Sequence, residues 1–187
     1  MKRGFKTEAE RIGVELRAEL GLDENGKLDP LELAKHLAIP VYTIHQASKV
    51  LPGSTFDYYF SSVDQDSFSA VTIFCGSRRF IVNNEHHHPN RQASNLTHEI
   101  SHTVLEHEPT PVAQANGHRY WNGDVEDEAT WLGAALLVPR EGALTMLKTD
   151  WTVSEIAEHF GVSEALCRWR VTQCGIDKQV ERWRRYQ

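Results

Sequence analysis

The sequence predicts an α+β fold in which helices precede and follow a small sheet. Three observations carry that expectation. Apolar residues recur at helical spacing through residues 7–37. β-Branched and aromatic residues then concentrate between 41 and 83. From Arg91 onward the helical period returns and, apart from a polar loop over 108–124, continues to the C-terminus. The chain has 187 residues, 40% hydrophobic and 25% charged, a balance that suits a packed globular core.

Taken in order, Thr7 with Glu10 three residues later reads as a capping box. Ala9, Ile12, Leu16 and Leu20 follow on one helical face, and Gly21 is a natural stop. After a turn over 23–26, Asp29 should cap a second helix with Pro30 at its first position. Leu31, Leu33, Ala34 and Leu37 supply its apolar face, and Pro40 lies past its end. Residues 41–44, 55–60 and 68–75 read as strands, and Gly76-Ser77 separates the last from 78–82 as in a hairpin. The sheet is expected to be small and largely antiparallel. A helix is expected over about 91–106, then a polar loop over 108–124. Asp124 is placed to cap the next helix, which carries Ala129, Leu132, Gly133, Leu136 and Leu137 up to Pro139. Helices at about 141–148, 153–160, 163–174 and 177–186 complete the chain.

Charge and cysteine usage narrow the function classes. A formal net charge of −6 argues against nucleic-acid binding by bulk electrostatics, although 181–186 form a short basic stretch. The three cysteines, Cys75, Cys167 and Cys174, form no C-x-x-C pair, so neither a disulfide framework nor a cysteine zinc knuckle is expected. No apolar run reaches membrane-spanning length, and the basic start lacks the apolar stretch of a secretory signal. These features together predict a cytoplasmic protein with no membrane association.

The histidines are unevenly placed. His86, His87, His88, His98, His102, His107 and His118 all fall within one third of the chain. Among them, His98-Glu99-Ile100-Ser101-His102 has the H-E-x-x-H spacing. Positions i and i+4 of a helix lie on one face, so the two imidazoles converge on one ion. Neutral imidazole suits zinc. Glu99, beside the first ligand, is placed to take a proton from zinc-activated water. A catalytic zinc wants three protein ligands and one open position. Glu126 and Glu128 are the candidates for the third. Glu126 is preferred, because Glu-x-x-Ala places the small Ala129 one turn along, where the two helices would approach closely.

These residues resemble the ImmA/IrrE family of H-E-x-x-H metallopeptidases. The match is carried by 27–34, by Phe80-Ile81-Val82-Asn83, by 91–105 with His107, and by 126–139 with its Leu-Leu-Val-Pro ending. The resemblance implies a zincin-like domain binding Zn2+ through His98, His102 and Glu126, with Glu99 as general base. It also implies a protein substrate, a helix-turn-helix transcriptional repressor. The sequence departs from the family pattern at Ser94, Thr97, Ser101 and Thr130, none of them a ligand or the base. Thr130 stands where Asn is common, and its hydroxyl can orient a ligand histidine as Asn would.

Residues 1–148 are expected to form the metallopeptidase domain and 149–187 a C-terminal helical segment. Within the latter, 153–163 read like the first helix and turn of a helix-turn-helix, with Ala157, Gly161 and Ser163 at the tight corner. Glu164 opens the next helix, where a DNA reader would place polar or basic residues, so packing is the favoured role. His86-His87-His88 reads as a polar loop, and His118 as a candidate oxyanion donor in the loop between the ligand helices. The leading expectation is a regulatory zinc endopeptidase. Its alternatives are an antirepressor that binds without cutting and a DNA-binding regulator with a zinc site.

Overall fold

The fold is described from a computed structural model, covering residues 1–50, 69–75, 78–108 and 122–186. The expected strand at 55–60 and His118 lie outside the described residues. The elements run α1 (Phe5–Glu19), α2 (Pro30–His36), β1 (Val41–Thr43), α3 (Ile44–Val50), β2 (Ala70–Cys75), β3 (Arg78–Asn83), α4 (Pro89–Val104), α5 (Gly123–Leu137), α6 (Arg140–Lys148), α7 (Val153–Phe160), α8 (Glu164–Gln173) and α9 (Ile176–Arg184). The class is α+β.

Local chemistry sets most boundaries. Asp29 accepts a hydrogen bond from the Leu31 N–H and Pro30 occupies the first turn of α2. α1 begins earlier than its capping-box pattern predicts. Its N-cap is Gly4, with no side-chain cap, and buried Phe5 draws the first turn onto the core. α5 is capped by Asn122, whose side chain accepts from the Asp124 N–H, so Asp124 lies inside the helix. α3 was not expected from sequence. Thr43 and Gln46 cap it reciprocally: the Gln46 N–H donates to Thr43 Oγ1 at 3.1 Å and the Thr43 N–H to Gln46 Oε1 at 2.9 Å.

Among the described residues the sheet has the order β1-β3-β2 and is mixed, where a largely antiparallel sheet was expected. β2 and β3 pair antiparallel with Ala70 opposite Asn83 and Cys75 opposite Arg78. β1 runs parallel to β3, with Val41 opposite Ile81 and Thr43 opposite Asn83. A tight turn obliges neighbouring strands to run antiparallel, but β1 reaches β3 only after α3 and β2, so that constraint is absent. Ile81 and Val82 on the central strand are both fully buried.

α4 packs against α2, β2, β3 and α5, and α5 also packs against α1. The core includes Leu16, Leu33, Ile81, Leu96, Ile100, Leu132, Leu136 and Ile156. Two buried arginines tie chain ends to it. Arg17 donates to the Leu136 carbonyl at 2.8 Å and the Asp23 carbonyl at 2.7 Å. Arg170 on α8, fully buried, donates to the Val138 carbonyl at 3.0 Å and to Glu10 of α1 at 2.6 Å. α7 opens with a capping box between Thr152 and Glu155, and Ser163 caps α8 through the Leu166 N–H. Among the described residues, no helix is long and apolar enough to cross a membrane.

Candidate metal centre

The centre is built where α4 and α5 touch. α4 buries Leu96 and Ile100 and, on the same side, the small polar Thr97 and Ser101. Both hydroxyls bond back into the helix: Ser101 Oγ donates to the Thr97 carbonyl at 2.7 Å and Thr97 Oγ1 to the Ala93 carbonyl at 3.0 Å. Neither therefore leaves a buried polar group unpaired. α5 meets this surface at Gly133. A Cβ there would lie 3.3 Å from the His98 nitrogen and 3.3 Å from the Thr97 carbonyl carbon. With no side chain in the way, the backbones come close enough for a side chain of α5 to meet those of α4.

His98 and His102, one turn apart on α4, and Glu126 in the first turn of α5 come together there. The Nε2 atoms of the two histidines are 3.1 Å apart. Glu126 Oε2 is 3.2 Å from His98 Nε2 and 3.6 Å from His102 Nε2. A tetrahedral zinc with ligand bonds of about 2.0–2.1 Å separates its donor atoms by roughly 3.3–3.4 Å, so the three observed spacings bracket what one ion requires. Among the described residues, this is the one group of His, Cys, Asp and Glu donors converging in this way.

Electrostatics favour the ligand form of both rings. Burial pushes the His98 pKa below its ordinary value, although Glu126 pulls the other way. Burial likewise lowers that of His102, helped by the neighbouring His98 and opposed by Glu126 and Glu99. Both rings are thus kept neutral, with a lone pair free for a metal.

A second layer surrounds the donors. Thr72 Oγ1 on β2 donates to Glu99 Oε2 at 2.6 Å. Thr130 Oγ1 lies 3.4 Å from His98 Nδ1. His102 Nδ1 is 2.9 Å from His107 Nδ1, and His107 Nε2 is 3.5 Å from Glu128 Oε2. Glu128, the alternative third ligand, is thus directed away from the cluster, and its Oε1 accepts the Lys2 N–H at 2.9 Å.

Sequence reasoning did not single out Thr72, which lies 27 residues from Glu99. It also gave no role to the pairing of His107 with Glu128. Such contacts join distant segments and leave no mark in spacing. The histidine run before α4 stays outside the cluster: His88 caps α4 through the Asn90 N–H, and His87 is buried.

Comparison with known proteins agrees with this chemistry. The family model for peptidase family M78, described as the IrrE N-terminal-like domain, matches residues 33–172. No curated protein and no solved structure matches the chain.

Proposed function

The chain belongs to the M78 peptidase family of IrrE N-terminal-like domains, and on that premise we propose that it is a zinc-dependent endopeptidase of regulatory type. The observation that carries the reading is the trio of donor atoms from His98, His102 and Glu126 at zinc-compatible spacing, with Glu99 on the adjacent helix position. A zinc ion held there supplies Lewis acidity to water and to a peptide carbonyl. The remaining work falls to the chain itself. Glu99 takes a proton from the attacking water and returns it to the leaving amine. The Thr72 hydroxyl holds one oxygen of Glu99 and so limits how the carboxylate can turn. Thr130, beside His98 Nδ1, steadies that ring.

Thr72 also suggests where the substrate lies. Among the described strands β2 is at an edge of the sheet, paired on one side with β3. An extended peptide added along β2 would run past the residue that holds the base. Such binding needs a segment with free backbone groups, so a mobile stretch of a partner is cut in preference to folded structure. The partner we propose is a helix-turn-helix repressor, a reading that rests on the resemblance to the ImmA/IrrE family. We assign the peptidase chemistry to residues 1–148, with 149–187 as a helical appendage that packs against it through contacts such as Arg170 with Glu10.

The test incubates the zinc-loaded protein with the products of its neighbouring genes, helix-turn-helix proteins first, and follows fragments by mass spectrometry. One dominant early cut, abolished by chelator and absent with Glu99→Gln, supports the proposal. Many simultaneous cuts, or a cut that persists in that variant, refutes it. Tight binding without any cut replaces it with the antirepressor reading.

A further inference from the structure

We propose that His107 and Glu128 are positioning residues that fix the ring of His102 for the metal, an inference that rests on the zinc reading above. The logic follows one proton. His102 turns Nε2 toward the cluster, 3.1 Å from His98 Nε2 and 3.6 Å from Glu126 Oε2. A neutral imidazole that binds through Nε2 carries its proton on Nδ1. That nitrogen lies 2.9 Å from His107 Nδ1, so the N–H donates there and His107 Nδ1 must hold a lone pair. The proton of His107 is then on Nε2, which faces Glu128 Oε2 at 3.5 Å. The far oxygen of Glu128 accepts the Lys2 backbone N–H at 2.9 Å. Every polarity along Lys2, Glu128, His107 and His102 is therefore mutually consistent. The opposite tautomer of His102 would aim an N–H at the metal position and set two lone pairs against each other at its back.

Two further features show that the arrangement is built. The His107 and Glu128 side chains are only 10% and 8% exposed, so water competes little for this contact. His107 also lies beyond the end of α4 and is brought back by the backbone. Glu106 adopts φ 53°, a left-handed conformation that a non-glycine residue enters at a cost of about 1–2 kcal/mol. The His107 N–H then bonds to the His102 carbonyl at 3.0 Å. This turn sets the two rings edge to face with centroids 5.0 Å apart.

Outer partners of this kind typically contribute roughly 10–100-fold to metal affinity. The experiment titrates metal-stripped full-length protein with zinc against a chromophoric chelator. It compares the parent with His107→Phe, His107→Gln and Glu128→Gln. Phe fills the space and accepts no bond, so zinc should bind roughly 10–100-fold more weakly. Gln can accept from His102 through its carbonyl and should recover much of that loss. In Glu128→Gln, one of the two oxygens that face the Lys2 N–H and His107 Nε2 becomes an NH2 donor, so a smaller loss in the same direction is expected. Cobalt substitution adds a spectroscopic readout. The ligand-field bands of the parent should shift or weaken in His107→Phe. A purely structural role would lower the melting temperature of the metal-free protein and leave zinc affinity and the cobalt bands unchanged, which overturns the inference. If His107→Phe fails to fold, parent-like zinc affinity in Glu128→Gln overturns it equally. A parent that binds no zinc removes the metal reading itself, and this inference with it.

Discussion

The close approach at Gly133 makes a demanding test, because it supplies no ligand yet packs on the backbone of His98 and sets the distance between the ligand helices. Replacing it with Val places a Cβ at 3.3 Å from the His98 nitrogen, 3.3 Å from the Thr97 carbonyl carbon and 3.4 Å from the Thr97 oxygen. Comfortable carbon contacts begin at about 3.5 Å, and two further methyl groups must also be housed. These neighbours are helix backbone, so the helices must part by some tenths of an ångström. Overpacking of this kind costs about 1–3 kcal/mol, and exchanging Gly for Val in a helix returns only about 0.3–0.5 kcal/mol. The net expectation is a loss of roughly 0.5–2.5 kcal/mol. The displacement also carries Glu126 away from His98 and His102. Ligand distances tolerate deviations of about 0.2 Å, so metal binding absorbs part of the strain. Each 1.4 kcal/mol so transferred weakens zinc about tenfold. Chelator competition and denaturant unfolding, with and without zinc, measure both effects. A folded Gly133→Val protein with parental zinc affinity would show that the helix contact does not set the ligand geometry.

Other expectations follow from the same structure. Thr72→Val should lower peptide turnover by roughly 10–100-fold with metal content unchanged, as expected for loss of one hydrogen bond to a charged group; steady-state kinetics and elemental analysis check it together. Arg170→Met strands the Glu10 carboxylate and the Val138 carbonyl and should cost about 2–4 kcal/mol in denaturant unfolding. The metal-free protein should be sensitive to acid. His98 and His102 have pKa values held below the ordinary 6.5 chiefly by burial, so the native state prefers them neutral. The unfolded chain then binds more protons than the native one as pH falls through the window below 6.5. Stability contributed above that value is therefore lost on acidification, and thermal melts between pH 7.5 and 5 should show it. A melting temperature independent of pH across that range would contradict the burial argument.

Much of the helical framework was legible because its signals are local. Asp29-Pro30 marks the start of α2, and Thr152 with Glu155 caps α7. Where the sequence misled, a distant partner had overruled a local motif. Thr7 and Glu10 have capping-box spacing, but burial of Phe5 starts α1 before them. The antiparallel pairing of β2 with β3 was readable from two strand-like runs close together in the chain, although Gly76-Ser77 between them lie outside the described residues. The parallel pairing of β1 with β3 was not, because nothing in 41–43 encodes the direction of a neighbour some forty residues away. The H-E-x-x-H spacing pointed to one face of one helix, and the geometry brings Glu126 to that face. The surrounding contacts of Thr72, His107 and Glu128 join β2, the end of α4, α5 and the N-terminal segment. They exist only once the chain has folded.

Elemental analysis of zinc-loaded, desalted protein decides whether His98, His102 and Glu126 together hold one metal ion. The parent should retain one equivalent. His98→Ala, His102→Ala and Glu126→Ala should each retain little, since two remaining ligands rarely hold zinc tightly. Glu128→Ala, which removes only an outer partner, should still load. A full equivalent of metal in either histidine variant, or a site emptied by Glu128→Ala and kept by Glu126→Ala, would rule out this ligand set.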